Sequence, residues 1–146
     1  MKFKSRKDIL FQMMIFGISG LFLGIFLITL FSRERDLLSY IWIDIIMLLM
    51  IGLLLWIYFK TEYVLTASKL IYKSGPLRGS IEIHRIREII KDKTLWSGLK
   101  PATARNGLII KYDKFEEIYI SPETNETFIK RILELNDKIK ITSKRN

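Results

Sequence analysis

Two long apolar runs, separated by a short polar connection, limit what this chain can fold into. The first run, residues 9–31, carries no charged side chain, and the second, residues 40–59, carries only Asp44. A helix rises about 1.5 Å per residue, so each run is long enough to span a hydrocarbon core of about 30 Å. We therefore predict two transmembrane helices that form an antiparallel hairpin over residues 1–59.

The N-terminus also has the basic character of a signal peptide, which is the competing interpretation. The apolar core of a signal peptide has about 7–15 residues and ends at a cleavage site of small residues. Here the longer first run ends in Phe31-Ser32-Arg33, which does not resemble such a site. We predict that the first helix is a retained anchor.

The distribution of Lys and Arg around the two runs predicts their orientation. The connection balances Arg33 and Arg35 with Glu34 and Asp36, whereas both flanks are basic. Because basic flanks favour the cytoplasmic side, we predict a cell-membrane protein with two spans and cytoplasmic N- and C-termini. The basic residues expected beside the lipid surface are Lys2, Lys4, Arg6, Lys7 and Lys60.

Asp44 is the one ionisable residue inside an apolar run. A carboxylate within a membrane span is a candidate for a functional site. Asp44 lies five residues after Ser39, however, close to the predicted outer headgroups. There it could reach water or pair with Arg33 or Arg35, so we favour an interfacial role and leave the functional one open.

Gly20 and Gly24 form a G-x-x-x-G pair in the first run. Small residues at this spacing let two helices approach closely. One alternative is dimerisation of two chains through this face. The other, which we favour, is packing of these glycines against Gly52 within the same hairpin.

The period of apolar residues changes after residue 59 and indicates a polar domain over residues 60–137. Residues 61–66, 69–75, 80–84, 108–112 and 115–120 alternate as β-strands do. In residues 121–136 the apolar side chains recur at helical spacing, with Ser121 as the predicted N-cap and Pro122 as the first helical residue. Residues 138–146 are predicted to be a basic, frayed tail.

The apolar side chains of the predicted helix should form one face that covers the small sheet. The residues assigned to that face are Phe128, Ile129, Ile132, Leu133 and Leu135.

Four sequence elements in this domain occur together in one known family. They are the strand Tyr63-Val64-Leu65-Thr66, the turn at Gly75 and Pro76, the I-x-I-x-x-I-x-x-I pattern from Ile81 to Ile89, and the helix start at Ile120-Ser121-Pro122. In order and spacing they resemble the bacterial pleckstrin-homology-like (PH-like) domains, and in particular the small families that carry one or two N-terminal membrane helices. The resemblance covers residues 60–137 and implies an α+β fold: a small antiparallel β-barrel or sandwich capped by a C-terminal helix.

The chain departs from the PH domains that bind phosphoinositides. Their first hairpin carries a K-x(n)-[K/R]-x-R pattern; here Lys69, Lys73 and Arg78 fall in that region, but no [K/R]-x-R ends the run. Specific phosphoinositide recognition is therefore not expected.

The residues that most catalytic sites need are scarce in this sequence. There is no cysteine, and His84 is the one histidine, placed by its surroundings in a strand. Glu116 and Glu117 are adjacent in a predicted strand, so their side chains point to opposite faces and cannot act as a pair. No phosphate loop, nucleophile elbow or dinucleotide fingerprint occurs. We expect neither an enzyme nor a cofactor nor a metal site.

The net charge of +9 lies mostly in the polar domain and has two interpretations. The favoured one is a cytoplasmic surface beside anionic lipid. The other is a cleft for an acidic ligand, built by Lys93, Lys100 and Arg105 around the long irregular segment. Nucleic-acid binding is not expected, because no basic strand interleaved with aromatics is present.

These expectations combine into a non-enzymatic, membrane-anchored PH-like interaction module. It would display a cytoplasmic scaffold to a protein partner or to the anionic lipid surface. The alternative is a membrane immunity or stress-resistance factor that acts through the hairpin. The partners left open are anionic lipid headgroups, a membrane or cytoplasmic protein, and a second copy of the chain.

Overall fold

Two long helices open the fold. The computed structural model describes residues 1–32, 37–95 and 98–143, with residues 37–40 described only as helix. Helix α1 runs Ile9–Phe31, as predicted, and α2 runs Leu37–Phe59, beginning three residues earlier than predicted. The ring of Phe16, near the start of α1, lies 5.2 Å from that of Tyr58, near the end of α2, so the helices are antiparallel.

Both helices expose their apolar side chains. They are long and apolar enough to cross a membrane, and in their most apolar windows only 11% of α1 and 6% of α2 is buried. The core helix of a soluble protein would bury most of that surface. The two helices are therefore candidate membrane spans.

The remainder is a sheet-rich domain with two four-stranded sheets. The first sheet has the order β1-β2-β3-β4 and the second the order β7-β6-β5-β8; every pair is antiparallel except β5–β8. The strands are β1 (Lys2–Lys4), β2 (Thr61–Leu65), β3 (Lys69–Ser74), β4 (Leu77–Glu82), β5 (Ile86–Lys91), β6 (Leu108–Tyr112), β7 (Glu116–Ile120) and β8 (Lys140–Ser143). The sheets do not join into a closed barrel, so of the two predicted forms the barrel is wrong.

Helix α3 (Asn125–Leu135) packs on the core between the sheets. Phe128 and Ile132 are fully buried there. Leu135 is 43% exposed, so the prediction that it belongs to the buried face is wrong. The predicted N-cap is also wrong, because the helix begins four residues after Ser121. The side chain of Ser121 is instead buried in a hydrogen-bond cluster.

Residues before α1 form strand β1, which the sequence did not predict. Its main chain continues the sheet, with the amide of Leu65 donating to Met1 O at 2.8 Å and that of Ser5 donating to Thr61 O at 3.2 Å. The ring of Phe3 packs edge-on against Phe128 at 5.2 Å. The segment before α1 and the segment after α2 therefore belong to one sheet.

Residues after α3 add another strand that the sequence did not predict. Residues 140–143 form β8, which pairs in parallel with β5, and the preceding Ile139 is 4% exposed. The prediction of a frayed tail is wrong for these residues; residues 144–146 lie outside the described part. The alternation of Ile139 and Ile141 with lysines is the signal that the prediction missed.

The domain joins α2 with almost no linker. Only Lys60 separates α2 from β2, and Thr61 Oγ1 donates back to Ile57 O at 2.6 Å. Gly75, at the β3–β4 turn, has φ +56°, and a Cβ there would lie 2.7 Å from Ile57 Cγ1. The β3–β4 turn therefore rests against the last turn of α2, which fixes the domain on the helix end.

We predict that Phe3→Ala destabilises the domain by about 1–3 kcal/mol, because it removes the ring that packs β1 on Phe128. Phe115→Ala is the matched control, since that side chain is 85% exposed and its loss should cost less than about 0.5 kcal/mol. Urea unfolding of the full chain in detergent, with hydrogen exchange of the β2 amides, measures both. Equal destabilisation by the two substitutions would contradict the role of β1.

Candidate functional site

A row of charged side chains crosses the outer face of the first sheet. Lys4, Glu62, Lys73 and Arg78 lie directly opposite one another on β1, β2, β3 and β4. They share a face because strand side chains alternate, and the intervening Tyr63 turns into the core. The row lies at the end of the sheet that adjoins the helices, next to the β3–β4 turn that contacts α2.

Glu62 is the one carboxylate of this row. Lys2 Nζ lies 2.6 Å from Glu62 Oε2, and Lys73 Nζ lies 4.0 Å from Glu62 Oε1. The hydrogen bond from Lys2 lowers the pKa of Glu62 most, partial burial raises it, and the charges of the nearby lysines lower it further. The pKa of Glu62 is therefore held below its ordinary value. One carboxylate thus serves two lysines, and the row keeps an excess of positive charge.

The second sheet carries a similar row that is balanced. Glu117, Lys111, Glu88 and Lys140 lie opposite one another on β7, β6, β5 and β8, with alternating sign. Lys111 Nζ lies 3.3 Å from Glu88 Oε2, and Thr142 Oγ1 donates to Glu88 Oε1 at 2.6 Å. This row holds β8 in place and leaves no net charge. The basic row of the first sheet is therefore the stronger candidate for contact with an anion.

A buried cluster of hydroxyl groups fixes the segment that carries β1. Ser5 Oγ lies 2.9 Å from Ser121 Oγ and 3.1 Å from Tyr63 OH. Thr103 Oγ1 donates to Ser5 Oγ at 2.8 Å, and burial raises the pKa of the Tyr63 phenol. Sequence reasoning missed this cluster because its four members come from four separate segments. It positions β1 and therefore the basic row.

The predicted lipid-facing residues divide into two groups. Lys2 and Lys4 lie on the outer face of the first sheet, which carries the basic row, and Lys60 follows α2 at the same end of the sheet. Arg6 is instead turned to the carbonyl oxygens of Arg105 and Asn106, at 2.6 and 2.9 Å, and Lys7 Nζ lies 4.3 Å from the centre of the Tyr58 ring. The contact of these residues with lipid stays a prediction.

Lys73 and Arg78 belong to the basic row, although the sequence did not single them out as site residues. Their place follows from the register of β3 with β4, in which they are direct partners. The alternation within each strand could have placed both on the outer face, but the sequence does not reveal which residues lie opposite each other.

The predicted acidic-ligand cleft forms only in part. Lys100 and Arg105 line a cavity of about 170 Å³ beside the start of α1, whereas Lys93 is not part of its lining. Arg105 Nε donates to Asp8 Oδ2 at 2.9 Å, which lowers the pKa of Asp8 and compensates the guanidinium charge. The ligand role of these residues stays a prediction.

The glycines of α1 and α2 do not pack against the opposite helix of the hairpin. A Cβ added at Gly20, Gly24 or Gly52 would meet no atom within 4 Å. The favoured interpretation, packing of Gly20 and Gly24 against Gly52, is therefore wrong, and contact between two chains stays a prediction.

Asp44 and His84 are the two remaining candidate residues. The predicted partners of Asp44, Arg33 and Arg35, lie outside the described residues. His84 is not in a strand as predicted: it lies in a 3₁₀ turn, Ile83–Arg85, with its Nε2 3.4 Å from Glu82 Oε2 and its side chain 77% exposed. Within the described ranges, no three His, Cys, Asp or Glu side chains are grouped so as to hold a metal ion.

A comparison with known protein families found one family model that matches more than half of the chain. A family model described as "Bacterial PH domain" matches residues 61–136, from the first residue of β2 to the residue after α3. Comparison with curated proteins and with solved structures found no match.

We predict that Lys2→Gln raises the pKa of Glu62 toward its ordinary value of 4.5. Because the folded-state pKa is depressed, Glu62 stabilises the β1–β2 pair above pH 4.5, and this contribution is lost as pH falls through the folded-state pKa. A ¹³C carboxyl titration of the full chain measures the pKa directly. Lys69→Gln, whose position lies opposite Glu82, serves as the control. An unchanged Glu62 pKa in Lys2→Gln would refute the pairing.

Proposed function

The chain belongs to the bacterial PH domain family, and we propose that it is a membrane-anchored, non-enzymatic interaction module whose first sheet lies against an anionic lipid surface. Membership of this family supports an interaction module without catalysis. The two sheets and α3 are consistent with a PH-like fold.

The two apolar helices support anchoring by a two-span hairpin. Both are long and apolar enough to cross a membrane, and their side chains are mostly exposed. Strands β1 and β2 flank the hairpin and pair with each other, so both flanks lie on one side of it. The excess of Lys and Arg in these flanks favours the cytoplasmic side.

The observation that carries the proposal is the basic row on the first sheet, which keeps an excess of positive charge. Gly75 contacts Ile57 in the last turn of α2, and Lys73 lies two residues before Gly75, about 7 Å along the strand. The Lys73 end of the row therefore lies close to the end of a candidate span, at a distance comparable to the Debye length of about 8 Å at physiological salt. Each Lys or Arg at that distance from an anionic leaflet contributes about 1 kcal/mol.

The open glycine face of α1 favours one alternative, in which the hairpin acts on another membrane component as an immunity or stress-resistance factor. A Cβ at Gly17, Gly20 or Gly24 meets no atom of the described chain within 4 Å, so this face is free for a second helix. Substitution of Gly20 and Gly24 by Leu would impair that function and leave lipid contact of the basic row intact.

Single-cysteine labelling tests the proposal, because the chain has no cysteine of its own. Ser80 lies on the outer face of the first sheet, and Ser68 lies at the β2–β3 turn, at the end of the sheet away from the helices. The two variants, Ser80→Cys and Ser68→Cys, receive the same fluorophore, and the full chain is placed in nanodiscs that contain a headgroup-labelled quencher lipid.

We predict that anionic lipid increases quenching at position 80 more than at position 68. In about 1 M salt, where the Debye length falls to about 3 Å, this difference should disappear. Equal quenching at both positions, or quenching at position 80 that is the same in neutral and anionic nanodiscs, would contradict the proposal.

A further inference from the structure

Strand β4 is a free edge of the first sheet, and its charges are arranged symmetrically about one residue. The strand order places β4 at the end of the sheet, and its register with β3 turns Arg78, Ser80 and Glu82 to the outer face. Arg78 and Glu82 carry opposite charges and lie two residues before and two residues after Ser80. A second β4 that runs antiparallel and is centred on Ser80 therefore places Arg78 opposite Glu82 twice.

The other three sheet edges do not match a second copy in this way. On the outer face of β1, Lys2 and Lys4 have the same sign, and the one charged residue of β8 is Lys140. Strand β7 begins with two glutamates, and it is already partly covered, since the amide of Tyr119 donates to Leu99 O at 2.9 Å. Charges on an edge strand usually discourage pairing, whereas the two opposite charges of β4 favour an antiparallel copy.

The main-chain groups of the same three residues point to the free edge. The amide of Ile83 donates to Ser68 O at 2.9 Å, so the odd-numbered residues of β4 bond to β3 and the even-numbered ones point away from it. The carbonyl of Glu82 accepts the first hydrogen bond of the 3₁₀ turn that follows. Within the described ranges, the other main-chain groups of Arg78, Ser80 and Glu82 have no hydrogen-bond partner.

We infer that two copies of this chain pair through β4 and join their first sheets into one continuous sheet. Ser80 of each copy exchanges two main-chain hydrogen bonds with Ser80 of the other. The amide of Glu82 donates to the carbonyl of Arg78 of the second copy, and the side chains of these two residues form an ion pair at each end of the contact. The inference goes beyond the proposed function, because it assigns a separate interaction surface and its partner.

This pairing supplies the negative charge that Arg78 lacks within one chain. In the described registers, Lys73 and Arg78 are the one pair of like charges placed directly opposite, and such a pair destabilises a sheet. In the described part of the chain, no carboxylate lies within ion-pair distance of Arg78. The side chain of Glu82 is 43% exposed and is therefore accessible to a second copy.

The symmetry of the pairing agrees with two chains in one bilayer. Two antiparallel copies of one strand within a sheet are related by a two-fold axis perpendicular to that sheet. Two membrane proteins of the same orientation are related by a two-fold axis along the bilayer normal. The two axes coincide when the first sheet lies flat against the lipid surface. This step rests on the proposed function, whereas the match between the two strand edges does not.

The contact is short, so it depends on the membrane. It consists of four main-chain hydrogen bonds and two ion pairs, counted from the register above. Anchoring both chains in one bilayer raises their effective concentration, which favours a contact that would be weak between free domains. The test therefore uses the full chain in isolated membranes.

Disulfide trapping at position 80 tests the pairing. The two-fold axis passes between the two Ser80 residues, whose Cα atoms would be about 5.5 Å apart, a separation that a disulfide can span. The chain has no cysteine of its own, and Ser68→Cys, at the β2–β3 turn, is the matched control. On mild oxidation we expect a disulfide-linked dimer from Ser80→Cys and little from Ser68→Cys, measured on a non-reducing gel.

Charge reversal in the Ser80→Cys background tests the register. Arg78→Glu creates two contacts between glutamates across the interface, and Glu82→Arg creates two between arginines, so each should lower trapping about fivefold or more. When the two variants carry different tags and are coexpressed, each new glutamate faces a new arginine. We therefore expect them to form mixed dimers at the level of the unreversed chain, and the double variant Arg78→Glu/Glu82→Arg to recover as well.

Thermal unfolding in detergent separates lost pairing from misfolding. Arg78→Glu replaces the like-charge contact with Lys73 by an opposite-charge one, so it should leave Tm unchanged or raise it. Glu82→Arg places a like charge opposite Lys69 and should lower Tm. Equal loss of trapping in two variants whose Tm values shift in opposite directions reports the interface.

The inference would be overturned if Ser80→Cys forms no more dimer than Ser68→Cys. Trapping that charge reversal leaves unchanged, failure of the mixed variants to recover, or a disulfide to a different protein in place of the dimer would overturn it as well. The quenching experiment, done with one chain per nanodisc, reads the pose of a single chain. Salt-dependent quenching without trapping means that the dimer alone is wrong; trapping with recovery but without such quenching means that the proposed function alone fails.

Discussion

Pairing of β1 with β2 is the constraint on which the arrangement of this protein depends. The strands lie on either side of the helical hairpin in sequence, yet they are neighbours in one sheet. The domain is therefore held at both ends of the hairpin, by β1 before α1 and by the single residue Lys60 after α2. A fragment that begins at residue 61 would lack the β1 edge and leave Phe128 without the Phe3 ring.

This double attachment fixes the position of the charged side chains of the first sheet relative to the helix ends. On a freely tethered domain, a basic row would face the membrane only part of the time, and each ordered contact would cost conformational entropy. Here the contact of Gly75 with Ile57 and the hydroxyl cluster around Ser121 fix the first sheet against the helix ends. The charges on the outer face of this sheet are then set by the strand register, which leaves Lys73 opposite Arg78.

The sequence predicted the parts of this fold that have a strong period or a sharp boundary. Helix α1 was placed correctly because its uninterrupted apolar run lies between Asp8 and Ser32, and alternation located β2 and β3. Strands β1 and β8 were missed because three or four residues are too few to show a period. The basic row was found only in part, since register arises from pairing between distant segments. The Ser121-Pro122 helix start failed because Ser121 binds Ser5, which is also distant in sequence.

Disulfide trapping of β1 against β2 tests the double attachment most directly. Met1 and Leu65 exchange main-chain hydrogen bonds, so the next pair, Lys2 and Val64, is a non-hydrogen-bonded pair with Cα atoms about 4.5 Å apart, which suits a disulfide. In isolated membranes, we expect Lys2→Cys/Val64→Cys to form an intrachain disulfide rapidly on mild oxidation. Lys2→Cys/Ile71→Cys, one strand further away, should not. No bridge in the first variant, or equal bridging in both, would show that β1 is not part of the sheet.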